Sequence, residues 1–247
     1  MTILTNEKDI RKIRESGEIL KKVFSFVENK IMGGVSTLDL DIEVEKEIRR
    51  HGAEPAFKGY KGYPGSICAS LNEVVVHGIP SADIVIQDGD IVSIDIGVKK
   101  NGYFTDAART FSVGTITEEA ERLIDCTKQC LTEGIKQAVT GNRVSDISHA
   151  IQNVAEKFKF KEVRMFVGHG VGKALHEPPE VPNWGQKGKG PVLQQGLVLA
   201  IEPMINCGTR NVKIKPDGWT AVTADGKFSA HFEDTVIVGN KEAEIIT

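Results

Sequence analysis

Two carboxylates stand where strands are expected to be apolar. Asp95 lies in Ser-Ile-Asp-Ile-Gly and Glu202 in Ala-Ile-Glu-Pro-Met. A charge inside an apolar strand is costly unless it is paired or bound to a cation. Taken alone, each also fits a strand whose polar side faces water. The segment after Asp95 argues for more. Asn101-Gly102 is a strong two-residue hairpin signal. With those residues as the turn, Lys100 faces Tyr103, Gly97 faces Asp106 and Asp95 faces Ala108. Strand alternation then places Asp95 and Asp106 on one face as diagonal neighbours, their Cα atoms about 7–8 Å apart. Two bare carboxylates that close would repel. Two carboxylates reaching toward a pair of divalent ions about 3.5–4 Å apart would not. Glu202 and Glu233, the latter in Ala-His-Phe-Glu-Asp, supply a matching pair from the second half of the chain.

The histidines extend this set. His169 sits in Gly-His-Gly, His176 follows seven residues later in Leu-His-Glu-Pro-Pro, and His77 ends the run Val-Val-Val-His. The spacing of His169 and His176 is not the helical His-Glu-x-x-His of a zinc protease. Any one of these residues, by itself, is more often a structural histidine. His231 shares a strand face with Glu233 and is a candidate partner of the same centre. His51 and His149 fit helix ends or helix surface and are given no role.

These residues must be positioned by a chain of 247 residues, 40% hydrophobic and 26% charged, with a net charge of −3. That composition is ordinary for a globular domain and gives no overall electrostatic case for nucleic-acid binding. The apolar run Leu197–Ile201 is far short of the roughly 18 residues of a membrane span. The start, Met-Thr-Ile-Leu followed by Glu7, Lys8 and Asp9, lacks the apolar core of a signal peptide, so a cytoplasmic location is expected. Cys126 and Cys130 share a helix face, but no second pair completes a zinc site. All four cysteines are read as reduced thiols.

Apolar spacing predicts helices over 7–31, 36–51, 117–139 and 145–158. Strands are expected over 67–76, 84–98 and 103–113, then over 162–167, 197–204, 212–215 and 230–238. Each half is thus helix, helix, strands, and Gly-Asp-Ile-Val-Ser-Ile-Asp (89–95) is echoed by Gly-Leu-Val-Leu-Ala-Ile-Glu (196–202). The order suggests one domain, 1–247, with an internal repeat of roughly 7–113 and 117–240. Two αβ units without symmetry would read the same way.

Together, His77 in NEVVVHGIP, Asp95 and Asp106 in SIDIGVKKNGYFTDAART, His169 and His176 in GHGVGKALHEPP, Glu202 in AIEPM and Glu233 in FEDT resemble the type I methionine aminopeptidases. The resemblance covers nearly the whole chain. It implies an α+β, pita-bread fold, with two pseudo-symmetric αβ halves and a curved antiparallel sheet covered by helices. It also implies a dinuclear centre held by Asp95, Asp106, His169, Glu202 and Glu233, with Asp106 and Glu233 bridging. The two divalent ions would be Mn(II), Fe(II) or Co(II), with Zn(II) tolerated, as an oxygen-rich donor set suggests.

The activity implied is removal of the first methionine from nascent polypeptides with a small second residue, encountered at the ribosome by a monomeric enzyme. Metal-activated water would attack the first peptide bond, with Glu202 as general base, His176 stabilising the oxyanion and His77 contacting the scissile amide. Phe57, Tyr60, Tyr63, Cys68, His77, Leu175, His176 and Trp219 would line the substrate pocket. Phe57 stands where the family often has cysteine and Leu175 where it often has an aromatic residue. Asn72, Val74 and Ser229 match a sodium or potassium loop. The rival readings are a proline-directed metallo-aminopeptidase of the same fold and a metal-free binding protein on it. The first usually carries an extra N-terminal domain, for which a first helix at residue 7 leaves no room. The second would have lost ligands that are all present here.

Overall fold

The four helices each begin on a side chain or backbone cap that the sequence supplies. In the computed structural model, which describes residues 1–247, α1 runs Glu7–Glu28 behind Asn6 and α2 runs Thr37–Arg50 behind Ser36. α3 (Glu118–Ile135) starts at Thr117, whose hydroxyl accepts from the Ala120 N–H. α4 (Val144–Phe158) starts at Arg143, whose backbone N–H donates to Asp146 at 2.7 Å. Such caps satisfy N–H groups that the first helical turn leaves free.

Between α2 and α3 come strands β1 (Glu54–Pro55), β2 (Cys68–Leu71), β3 (Val74–Val76), β4 (Ile91–Lys100) and β5 (Tyr103–Ser112). After α4 come β6 (Lys161–Glu162), β7 (Gly168–Gly170), β8 (Glu177–Val181), β9 (Val198–Ile201) and β10 (Met204–Asn206). The chain ends with β11 (Val212–Ile214), β12 (Ala221–Thr223), β13 (Ser229–His231), β14 (Glu233–Ile237) and β15 (Glu244–Ile245).

One antiparallel sheet orders β1-β4-β5-β14-β9-β7-β8, with β2 also on β4 and β15 on β14. The β4–β5 hairpin turns at Asn101 (φ 52) and Gly102 (φ 77), the left-handed pair that a tight hairpin requires. Its register pairs Asp95 with Ala108 and Gly97 with Asp106. One face of β4 carries Ile94, Ile96 and Val98, which pack under Leu20, Val23, Leu40 and Val44 of α1 and α2. The same side of β9 and β14 carries Leu199, Ile201 and Val236, packed beneath Leu123, Ile147 and Ile151 of α3 and α4. The helices therefore seal one face of the sheet and leave the chemistry to the other.

Several predicted elements are shorter in the structure, each for a visible reason. The predicted helix 117–139 ends at Ile135 because Val139 leaves it to bridge Gly239 and the Thr140 N–H bonds the Gly239 carbonyl. The predicted strand 84–98 begins only at Ile91. Asp88-Gly89 forms a turn (Gly89 φ 98), and the Gln87 N–H donates to Asp90 at 2.8 Å. The segments 67–76, 197–204 and 230–238 each break in two, the first at Asn72 (φ 52). The cysteines are all free thiols, three of them buried. No helix is long and apolar enough to cross a membrane.

β7 is wedged between β9 and β8, and glycine makes this approach feasible. A Cβ on Gly168 would lie 2.5 Å from the Ala200 carbonyl oxygen, and one on Gly170 would overlap the Pro178 carbonyl. Gly168→Ala is expected to push the strands apart and cost about 2 kcal/mol, the usual scale of overpacking. Urea unfolding of the variant measures this; an unchanged midpoint would refute the close-packing account.

Candidate active site

Register alone carries five polar side chains to the uncovered face. Glu233 pairs with Ala108, itself opposite Asp95, and Asp106 lies two residues along the same face of β5. His169 pairs with Ala200, and Glu202 follows two residues after it on the same side. Ala108, small and fully buried, lies between Asp95 and Glu233 and leaves room above it.

The ligand atoms of Asp106, His169 and Glu233 lie within 4.8 Å of one another. His169 Nε2 is 3.4 Å from Glu202 Oε1 and 4.0 Å from Asp106 Oδ2. His169 Nδ1 lies 2.9 Å from the Gly170 carbonyl, to which it can only donate. The neutral ring therefore presents the Nε2 lone pair to the carboxylates, the form in which histidine binds metal. Asp95 Oδ1, Asp106 Oδ1 and Glu233 Oε1 are buried with no hydrogen-bond partner. Burial first, and then mutual repulsion, raises Asp95, Glu202 and Glu233 well above the ordinary carboxylate range; burial raises Asp106. Burial lowers His77 and His169 to about 4. Orphaned oxygens, repelling carboxylates and an inward lone pair form a donor set that fits divalent metal ions.

A cavity of about 170 Å³ opens onto this cluster. It is lined by Phe57, Tyr60, Tyr63, Cys68, His77, Leu175, His176 and Trp219, by the five polar residues above, and by Lys61. Every residue expected in the substrate pocket or the metal set thus borders one space. Phe57, Tyr63, Cys68 and Leu175 form one buried cluster, with Tyr60 and Trp219 packed against it. Phe57 fits because residue 97 is glycine: a Cβ there would come within 2.6 Å of the Phe57 ring. His77 holds a left-handed backbone (φ 59) and meets Phe166 and Trp219 edge-on at 5.2 and 6.1 Å. Strain of this kind in a non-glycine residue clusters at functional sites.

The residues of the expected monovalent-cation loop lie outside the cavity. The Ser229 N–H donates to the Asn72 carbonyl at 2.8 Å, and β13 lies beside β3, which begins at Val74. Asn72 uses its side chain to hold Asp90 and the Ile91 N–H.

His231 is 1% exposed, and its Nε2 lies 3.7 Å from Glu202 Oε2 without a hydrogen-bond partner. Its backbone is clamped by Thr110, which accepts from its N–H at 3.0 Å and donates to its carbonyl at 2.9 Å. Sequence reasoning placed this residue only by its face. Lys61 and Phe166 were missed. Phe166 stands two residues before Gly168-His169, but nothing in strand periodicity aims it at His77.

A buried acidic centre at the floor of an apolar cavity is the construction of a metal-dependent hydrolase. The sequence profile of metallopeptidase family M24 matches residues 11–240, and the chain belongs to that family. It is 49% identical to a methionine aminopeptidase of Clostridium acetobutylicum, over 100% of this chain and 99% of the relative. It is 47% identical to methionine aminopeptidase 1 of Bacillus subtilis, over 100% of this chain and 99% of that protein. A crystal structure of methionine aminopeptidase from Thermotoga maritima superposes with a TM-score of 0.97 at 41% identity, covering 100% of this chain and 99% of that one. The prolidase of Pyrococcus furiosus shares the fold at a TM-score of 0.81 and 23% identity, covering 99% of this chain and 65% of that one. The fold is the pita-bread fold, as the motif resemblance implied.

The raised carboxylates give a signed pH dependence. From about pH 7.5 to 8.5 the histidines are at least nine-tenths neutral in both folded and unfolded chains and add little slope. The site carboxylates are ionised when unfolded, and burial shifts their folded titration upward, so wherever they still bind protons in the folded chain stability falls as pH rises. Metal-free protein is expected to lose about 2–4 °C of melting temperature per kcal/mol lost. Asp106→Asn with Glu233→Gln should flatten the slope, as should excess Mn(II). Thermal melts across this range test it; a rising melting temperature would contradict the electrostatic account.

Proposed function

We propose that this chain removes the N-terminal methionine from nascent polypeptides whose second residue is small. The observation that carries the reading is the junction of an acidic, orphaned donor set with a part-open cavity of side-chain size whose far end is walled by Phe57, Tyr63, Cys68, Leu175 and Trp219. Its relatives named methionine aminopeptidase at 47–49% identity over the full chain support it. The substrate class excludes internal peptide bonds, because the free amine must reach the same centre as the first carbonyl.

In this reading Asp95, Asp106, His169, Glu202 and Glu233 hold two divalent ions. Four carboxylates against one imidazole favour Mn(II), Fe(II) or Co(II) over Zn(II). The metals, when bound, lower the pKa of water enough to provide a nucleophile near neutral pH and offset developing negative charge. Glu202 takes and returns the proton as general base; its burial raises its affinity for a proton. His176 lies at the exposed rim of the cavity and is neutral because partial desolvation, His169 and Lys61 all disfavour its cation; it donates to the carbonyl oxygen as charge grows on it. His77 contacts the scissile amide nitrogen. Tyr63, Cys68, Phe57, Leu175 and Trp219 enclose the methionine side chain, whose flexible thioether adapts to such a space.

The same reading treats residues 1–247 as one catalytic unit with two pseudo-symmetric halves, 7–113 and 117–240. It places a monomer in the cytoplasm, meeting chain ends at the ribosome. A sodium or potassium ion would sit on the loop of Asn72, Val74 and Ser229, away from the reacting atoms.

Two measurements test this. Peptides varied one position at a time should show Met-Ala and Met-Gly cut fastest, Met-Thr more slowly and Met-Lys hardly at all. Leu-Ala should be cut slowly, since an apolar pocket separates near neighbours by only about 1–3 kcal/mol. Cleavage of Ala-Pro in preference to Met-Ala would instead support the proline-directed reading. Glu202→Gln is expected to lower kcat by about 10² or more. Metal content measured on the same sample guards the conclusion, and wild-type turnover with metals retained would remove Glu202 as the base.

A further inference from the structure

His176 turns one edge to the cavity and the other to Tyr60. The Tyr60 hydroxyl lies 3.0 Å from His176 Nδ1, and the rings stack with centroids 5.1 Å apart at 24°. Tyr60 stands in a turn that is costly to form. Gly59, Lys61 and Gly62 have φ of 83, 49 and 88, and only glycine adopts such angles without strain. Backbone hydrogen bonds close the turn, Tyr60 N–H to the Phe57 carbonyl at 2.9 Å and Gly59 N–H to the Tyr63 carbonyl at 2.8 Å. The Tyr63 hydroxyl fixes the next residues against the carbonyls of Ile67 and Gly78, both at 3.0 Å. On the far side, the loop bearing His176 is tied by Glu177, which accepts from the Ala174 N–H at 2.8 Å and the Thr2 hydroxyl at 2.9 Å. Two separately anchored loops thus bring one hydroxyl to one ring nitrogen.

We propose that Tyr60 is a positioning residue that donates its hydroxyl proton to His176 Nδ1, holding the imidazole as the Nε2–H tautomer with that N–H turned into the cavity. The proposal rests on the reading of His176 as a donor to the carbonyl oxygen. A phenol is a good donor, and the nitrogen of a neutral imidazole that carries no proton is a good acceptor. The contact with His176 is the only hydrogen bond the Tyr60 hydroxyl makes. The opposite arrangement would turn the Nε2 lone pair toward a space already crowded with carboxylate oxygens and toward the atom on which negative charge grows. The His169 ring, 4.3 Å from that of His176, is locked in the complementary form by Gly170, with its lone pair inward. Adjacent imidazoles would then carry opposite polarity into one cavity, one to accept a cation and one to donate to an oxyanion. Tyr60, expected only as a wall of the substrate pocket, acquires a second task at its polar end.

Tyr60→Phe keeps the ring, the stacking and the pocket volume and removes only the hydroxyl. The full chain, labelled with 15N-histidine and loaded with diamagnetic Zn(II), can be compared with this variant by two-bond 1H–15N correlation at about pH 7.5. His176→Gln identifies the resonance. The wild type should show a protonated Nε2 and an Nδ1 displaced by accepting a hydrogen bond; Tyr60→Phe should lose that displacement. Kinetics on Met-Ala-Ser should show kcat lowered about tenfold, the scale of one oriented hydrogen bond, with KM changed less than about twofold. A protonated Nδ1 in the wild type, an Nδ1 signal unmoved in Tyr60→Phe, or an unchanged kcat would overturn the proposal. Failure of the wild type to cleave Met-Ala-Ser would overturn the reading of function instead, and the spectra would still decide the tautomer.

Discussion

Four carboxylates on one buried sheet face repel one another, and the molecule is arranged around the need for opposite charge at that point. Asp95, Asp106, Glu202 and Glu233 cannot each find a protein cation. Arg109, next to Ala108 in β5, turns to the helix side, where it binds Asp234 at 2.6 Å and lies over the Phe24 ring. Burial without compensation is among the most expensive states a carboxylate can take. The surroundings therefore keep out bulk and polarity that would relieve the strain in another way. Ala108 and Gly97 hold the floor open, His169 offers a lone pair and not a proton, and the helices close the opposite face.

The part of this legible in the sequence was the part set by short-range rules. Asn101-Gly102 demanded a tight turn, the turn set the register, and period two then put Asp95 and Asp106 on one face. Nothing further was needed for that pair, and the structure pairs Gly97 with Asp106 as expected. Thr117, a capping residue followed by Glu118 and Glu119, marked the start of α3 in the same local way. Where a long-range contact decides, sequence reasoning failed. Val139 abandons a helix that its spacing favours because Gly239 offers a bridge, and the chain turns at Gln87–Asp90 inside a segment whose Val and Ile content reads as strand. The cavity walls belong to this second kind. Phe57, Leu175 and Trp219 come from three distant loops, and only likeness to a family brought them together. Lys61 and Phe166 had no such guide.

The cavity is divided by chemistry as well as by shape. Its apolar end is rigid: the Phe57 ring rests on a glycine, and the Tyr63 hydroxyl is fixed to two carbonyls. At its polar end, proton positions matter more than side-chain positions. Burial holds His77, His169 and His231 neutral, so each ring has one donor and one acceptor, and its neighbours choose which nitrogen is which. For His169 the neighbour is a backbone carbonyl; for His231 the clamp is on the backbone, through Thr110. A substrate entering this space would meet surfaces whose hydrogen-bonding sense is set before it arrives, which is what makes electrostatic stabilisation effective.

The acidic face is also completed at a definite point in the chain's own biosynthesis. Asp95 and Asp106 meet as soon as a local hairpin closes, about 20 residues from strand to strand at most. Glu233 joins them only through the pairing of β14 with β5, across 125 residues. Contacts of such separation form slowly and late, because loop closure must precede any reward. On a ribosome adding residues from the N-terminus, both helices of the first half and the hairpin can assemble while the strand that carries Glu233 is still unmade. Until it emerges, the half-formed face is a pair of carboxylates open to water, where their repulsion is weak. The severe electrostatic conflict arises only at the last step of assembly, so in the proposed reading a chain still lacking β14 has no complete metal-binding face.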